Sequence, residues 1–429
     1  MTKINLLTGS VFTAISLSGS ALAGDVVAEA PAASTNNGSW CDNLKTIGKV
    51  YSNKENPLIQ ELTFSGRYQF QTGSISGEDV NGDSFNENFT THRRLRLGAQ
   101  MKFANYFKLK ANVNLVADAS HTKTNPDIPG SGETNWGFPD AAAAVYDEAK
   151  ITFDAGKAFG TAGLDSLSIT YGRQKLKMSQ EAHNSSKKIK TIERSALANT
   201  IYRSARPVGV TIDGAKGSWK GAVAVFSDQI SDTEWGSVGG GWGEGTAYYA
   251  SATKTFSNDD ALILDFIHHD DDNDETNLDW IGYDWAASAA YQATRGRWGY
   301  IVNAIVGDHG DVYSSGSLKE DRGGLFYGAI LTGTYWITEG TLEAVAQYQW
   351  QGSEESEGVR TNSRYFRADN DGDVNSGRGD SHHSLYAGLN WYICGDNSKF
   401  MTGVEYQQLE TADGDADAAT LLLAYRMYF

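Results

Sequence analysis

Cysteine is nearly missing from this chain: only Cys41 and Cys394 occur in 429 residues, which excludes a disulfide-dense scaffold or a four-cysteine zinc site. Proline is scarce too, with 6 residues against 47 glycines. No stretch beyond the N-terminus reaches the roughly 18 apolar residues of a membrane helix, so a membrane crossing is open to this chain only as a closed β-barrel. Positive charge is in deficit, 36 Lys and Arg against 53 Asp and Glu, a net −17. Such a chain does not hold nucleic acid or another polyanion by its overall field.

What is present is alternation. Counting back from Phe429, Met427, Tyr425, Leu423, Leu421 and Ala419 are apolar at every second position, with Arg426 and Thr420 between them. A period of two is a strand with one oily face. An aromatic C-terminus on a strand of membrane-crossing length resembles the closing strand of outer-membrane porins. At the other end, Lys3, the apolar run Leu6 to Leu17 and Ala21-Leu22-Ala23 before Gly24 read as a secretory signal over residues 1–23. Residues 24–59 are expected to be a periplasmic lead-in, with a short helix near Trp40 to Tyr51, and residues 60–429 a barrel.

Within residues 60–71, Leu62, Phe64, Tyr68 and Phe70 share one face, opposite Glu61, Thr63, Ser65, Arg67, Gln69 and Gln71. Leu95, Leu97, Ala99, Met101 and Phe103 then stand opposite Arg94, Arg96, Gln100 and Lys102, and after an Ala104-Asn105 turn Lys108 and Lys110 lie on the watery face of the next strand. Long polar loops near 118–142, 178–207, 227–244, 308–323 and 351–382 alternate with short turns, the pattern of a barrel with long outer and short periplasmic connections. The expectation is an all-β transmembrane antiparallel barrel of about 16 strands, wide enough for a water-filled lumen. It includes strands at 166–177 and 279–294, and a polar loop between 72 and 93.

The acidic residues cluster in turn-rich stretches, whereas Arg173 to Arg206 carries nine basic residues against Glu181 and Glu193, a local +7. Folded into the lumen, that loop would favour anions, as rings of Arg or Lys do. Left outside, it would be a solvated patch facing lipopolysaccharide phosphates.

Four stretches, in order, resemble the phosphate-selective porins O and P: His92-Arg93-Arg94-Leu95-Arg96-Leu97-Gly98, Tyr171-Gly172-Arg173-Gln174-Lys175, Ile192-Glu193-Arg194-Ser195-Ala196-Leu197-Ala198 and Tyr386-Ala387-Gly388-Leu389-Asn390-Trp391-Tyr392. The resemblance implies a trimeric anion channel in which Arg and Lys pass phosphate along, with Arg93, Arg94, Lys175 and Arg194 on the path. The basic run adds Lys187, Lys188 and Lys190, and alternation adds Arg96, which shares the watery face with Arg94. Arg93 falls on the face of Leu95, at an interface or snorkelling. The family's Pro-Phe after the strand lysine is replaced by Leu176-Lys177-Met178.

Asp79-Val80-Asn81-Gly82-Asp83 and Asp369-Asn370-Asp371-Gly372-Asp373 have calcium-loop character without the downstream Glu of an EF-hand. They are the one cofactor candidate. His268-His269 and Ser381-His382-His383 raise a barrel hydrolase as a remote alternative, and no enzyme is expected. The inferred strand directions put Cys41 and Cys394 both on the periplasmic side, where an oxidising compartment permits a bond. Rival readings are a weakly selective or cation-preferring porin and an adhesin-like barrel with its pore shut.

Overall fold

The computed structural model describes residues 39–115, 145–160, 163–202, 206–227, 245–270, 282–314, 317–361, 366 and 373–429. The signal reading, the loops at 118–142 and 227–244 and most of the acidic run 369–373 therefore lie outside the described residues. Helix α1 (Trp40–Thr46) and a short strand (Lys49–Ser52) precede the wall. The wall begins with β1 (Ile59–Glu78), β2 (Ser84–Phe103), β3 (Phe107–Asn114) and β4 (Val145–Phe153). After α2 (Ala155–Phe159) come β5 (Ser166–Arg173), the helices α3 (Gln180–His183) and α4 (Ala196–Tyr202), β6 (Val208–Lys216) and β7 (Trp219–Ser227). It continues with β8 (Thr246–Thr255), β9 (Ala261–Asp270), β10 (Trp285–Arg295), β11 (Trp298–Asp308) and β12 (Leu325–Thr338). The last four are β13 (Leu342–Ser353), β14 (Ser381–Tyr392), β15 (Ser398–Thr411) and β16 (Gly414–Tyr428).

Each wall strand pairs antiparallel with its neighbour, and β16 returns to β1 from Tyr428 beside Arg67 to Asp417 beside Glu78, closing a 16-strand barrel. Closure matters because every backbone donor and acceptor at membrane depth then finds a partner. The expected alternation appears as exposure. On β16, Leu421 and Leu423 are about half exposed on the lipid face, while Leu422, Ala424, Arg426 and Tyr428 are buried on the inner face. Among the described residues no helix is long and apolar enough to cross a membrane.

Two expectations need correction. Most of the polar stretch 72–93 is strand rather than loop, with only 79–83 left as the turn: β1 and β2 run 20 residues each and pair up to Glu78 beside Ser84. Beyond membrane depth a strand has no need of an oily face, so Gly, Ser and Asn do not end it. The hairpin's far end instead helps build a small outer core of Ile75, Phe85, Val359, Phe366, Leu409 and Ala416. The strand expected to start at 279 starts at Trp285.

Small residues on the inner wall make room for large ones. Tyr386 occupies the space above Gly403 and Gly388, and a Cβ on Gly403 would fall 2.4 Å from its ring. Beneath the wall, Lys49–Ser52 pairs with Glu61–Thr63 of β1, continuing the β1 edge past the point where the C-terminal strand stops. Cys41 of α1 is bonded to Cys394 in the β14–β15 turn, with Cα atoms 5.2 Å apart across 353 residues of chain.

Candidate functional site

The segment between β5 and β6 fills much of the barrel. Its apolar side chains are the reason: Leu176, Met178, Leu197, Ala198 and Ile201 have no place in water and bury themselves against Phe226, Tyr249, Ile267, Tyr283, Ile305, Phe326 and Ile330 of the β7–β12 wall. On the opposite flank Ile192 packs with Phe89, Val345, Tyr386, Met401, Leu422 and Ala424. Each such large side chain contributes roughly 1.5–3 kcal/mol when removed from water.

Wall side chains then satisfy the loop's backbone. Arg426 donates to the carbonyl oxygens of Ser186 (3.0 Å) and Ile192. Asn390 donates to Lys190 O at 2.9 Å, and Tyr249 to Lys177 O at 3.1 Å. Asn303 accepts from Gln180 N at 3.1 Å, and Gln347 donates to the buried Glu181 at 3.0 Å. His183 meets Asp265 of β9 at 2.7 Å. Buried polar groups paired on several sides hold a loop in one place.

The basic residues separate into distinct situations. Lys190 is pinned to Glu343 at 2.7 and 2.9 Å, over the rings of Trp336 and Tyr392. Arg194 donates to Glu181 O at 3.2 Å and lies 4.8 Å from the Tyr202 ring centroid. Burial pulls its pKa down from the ordinary guanidinium value, and burial raises that of Glu181. Lys175 donates to Asn184 O at 2.7 Å and to Ala182 O, 5.4 Å from the Tyr202 centroid, and no carboxylate pairs with it among the described contacts. Burial, reinforced by Arg194 and Arg206, brings its pKa down to about 6. Strand β5 ends at Arg173, so Lys175 belongs to the inserted loop and not to the strand expected at 166–177.

Lys187 lies 4.7 Å over the Tyr428 ring, and burial with Arg67 and Lys110 nearby lowers its pKa to about 8. Lys188 is exposed, on a cavity of about 320 Å³ between the loop and the β10–β13 wall, lined also by Glu181, Gln292, Trp336 and Glu343.

Arg93 is a correction. Gln69 pairs with Arg94 and Phe70 with His92, which makes Arg93 the extra residue of a β-bulge. A bulge inserts one residue and breaks strict alternation, so Arg93, Arg94 and Arg96 all turn inward. Arg93 reaches the loop's Glu193 at 2.9 Å, Arg94 donates to Gln69 at 2.7 Å, and Arg96 pairs with Asp147 at 2.6 Å.

Several lumen groups were not singled out beforehand. Arg206 pairs with Asp147 at 3.0 Å, Arg67 donates to Ser186 Oγ at 2.9 Å, and Lys110 and Lys150 meet on Glu148. Alternation places Arg67, Lys108 and Lys110 on the watery face, and that is the signal the sequence offers for them. The loop leaves the inner face of β3–β6 the more open one, where Lys108, Lys110, Asn112, Lys150, Thr152 and Asp213 stay partly exposed.

The other candidates have structural partners. Asp79 accepts from the amides of Asn81, Asp83 and Asp373, each at 2.9 Å, so both carboxylate oxygens are engaged in shaping the hairpin tip. Those bonds also hold its pKa below the usual carboxylate range. His382 is buried between Gln351 (3.1 Å) and Gln407 (3.3 Å).

A family model described as phosphate-selective porin O and P matches residues 63–300. Among curated proteins none matches the sequence. Solved structures do match. The outer membrane channel DcaP of Acinetobacter baumannii is 13% identical, with 88% of this chain and 99% of that one covered and a TM-score of 0.50. The anion-selective porin from Comamonas acidovorans is 10% identical, with 86% and 99% covered and a TM-score of 0.51. Salmonella typhi OmpF, in complex with daunomycin, is 11% identical, with 88% and 100% covered and a TM-score of 0.52. At such identities the likeness is one of fold.

Proposed function

This chain belongs to the phosphate-selective porin O and P family, and on that premise we propose that its outer-membrane channel prefers anions, inorganic phosphate among them. The observation that carries this is the surplus of cations on the route the loop leaves open. Arg67, Arg93, Arg96, Lys108, Lys110, Lys150, Lys187 and Arg206 stand there against Asp147, Glu148, Glu193 and Asp213, and Lys175 adds its charge only once pH falls to about 6. A row of moderate cationic sites lets an oxyanion enter and also leave, where a single tight site would stop flow. Arg suits the task because its planar fork holds an oxyanion in two places and keeps its charge. The Comamonas acidovorans neighbour is described as anion-selective, but the weight falls on the side chains of this lumen.

A weakly selective channel is the second reading, favoured by the carboxylate partners of Arg93, Arg96, Lys110, Lys150 and Lys190. Planar-bilayer recording in a KCl gradient separates the two. Anion preference moves the reversal potential toward that of chloride, and added phosphate reduces the chloride current. A reversal potential on the potassium side overturns the proposal. The trimer belongs to the same proposal and is tested by the mass of the detergent-solubilised native protein.

A further inference from the structure

A second bulge lies two strands along the wall from the first, in β4. Asn112 of β3 pairs with Glu148 and Val113 with Tyr146, so Asp147 is the extra residue in β4. Strict alternation would send one of two consecutive carboxylates into lipid; the bulge turns both inward. Asp147 is taken by Arg96 and Arg206. Glu148 is left to the open wall: Oε1 accepts from Lys150 at 2.6 Å, and Oε2 accepts from Lys110 and from Asn112 Nδ2 at 3.3 Å. Two ammonium groups and an amide around a pair of oxygens are the donor set a small oxyanion would need.

We infer that Glu148 is a specificity-determining residue, a tethered anion seated where Lys110 and Lys150 would otherwise hold a passing oxyanion. This rests on the anion-preferring reading above. The side chains of Lys110, Lys150 and Glu148 are 30%, 21% and 11% exposed, so a solute on the β3–β6 side reaches them. Such a solute binds there by exchange, displacing the carboxylate from its lysines and being displaced in turn. The carboxylate thereby keeps the lysine pair a moderate site, the condition for flux.

The test is Glu148→Gln in the full-length protein in planar bilayers, with inorganic phosphate as the probe. The variant keeps the shape and one acceptor and removes the charge. The phosphate concentration that halves the chloride current should fall roughly tenfold, the scale of one charge removed beside a partly solvated site. Adding Lys110→Met to that variant should return the value toward wild type. Lys150→Met alone should weaken phosphate block, and it keeps the test alive if Glu148→Gln fails to assemble. A folded Glu148→Gln channel with unchanged or weaker phosphate block overturns the inference, as does a Lys150→Met channel blocked as in wild type. A purely structural role would lower heat resistance without moving the block. A cation-preferring wild-type channel overturns the underlying reading before Glu148 comes into question.

Discussion

Anion preference in this channel should titrate in two steps, and two residues of the inserted loop set them. Lys187, lowered to about 8 by burial beside Arg67 and Lys110, gains its proton first as pH falls. Lys175, lowered to about 6 by burial beside Arg194 and Arg206, gains its proton second. Each goes from about one-tenth to about nine-tenths charged over two pH units centred on those values. A unit charge roughly 7 Å from a passing anion is worth about 0.6 kcal/mol at the dielectric constant of water and about 2.4 kcal/mol at an effective value of 20. The anion-to-cation permeability ratio should therefore rise severalfold at each step as pH falls.

The assay is the reversal potential in a fixed KCl gradient, stepped from pH 9 to pH 5. Lys175→Met should remove the lower inflection and Lys187→Met the upper. A flat wild-type profile, or a Lys175→Met profile that still inflects near 6, would refute the argument. The linkage has a second consequence. An unfolded chain keeps the Lys175 proton up to about 10.5, so the docked loop gains stability as pH rises from about 6 toward 10.5 and gives it up again on acidification to about 6.

Two further outcomes are expected. Reducing the Cys41–Cys394 bond, which closes 353 residues of chain, should lower the temperature at which the barrel unfolds on a heat-modifiability gel, since such a cross-link is typically worth about 2–4 kcal/mol; an unchanged midpoint would refute this. Leu197→Ala, at a position with no exposure in the apolar seam between loop and wall, should cost the docked loop about 2–5 kcal/mol and show as noisier, larger single-channel currents. Conductance identical to wild type would place that contact outside the control of pore size.

How far the sequence could be read depended on whether a feature was local. Alternation in Leu385 to Ile393 or Leu421 to Met427 is a property of adjacent residues, and it placed the late strands within a few residues. The bulge at Arg93 is not local: it exists because Gln69 pairs with Arg94 while Phe70 pairs with His92, a register that only both strands together define. The same holds for Asp147. Within the inserted segment, the charges of Lys187, Lys188 and Lys190 stand out, while the apolar residues that seat it, Leu176, Met178, Leu197 and Ile201, form no alternating run of strand length. Their partners, such as Phe226 and Phe326, lie on inner faces that the barrel pattern assigns to water.

The sequence by itself determined that this chain crosses a membrane as a closed barrel, because alternate side chains commit each strand to opposite solvents and an unpaired edge cannot survive between them. Only the tertiary structure decided which basic side chains seat the loop and which face the passage. Lys190 and Lys110 look alike in one dimension, but Lys190 meets Glu343 far along the chain and Lys110 meets Glu148 on the open wall. Charge pairing acts through space, over a few ångströms, and a linear chain holds no record of that distance.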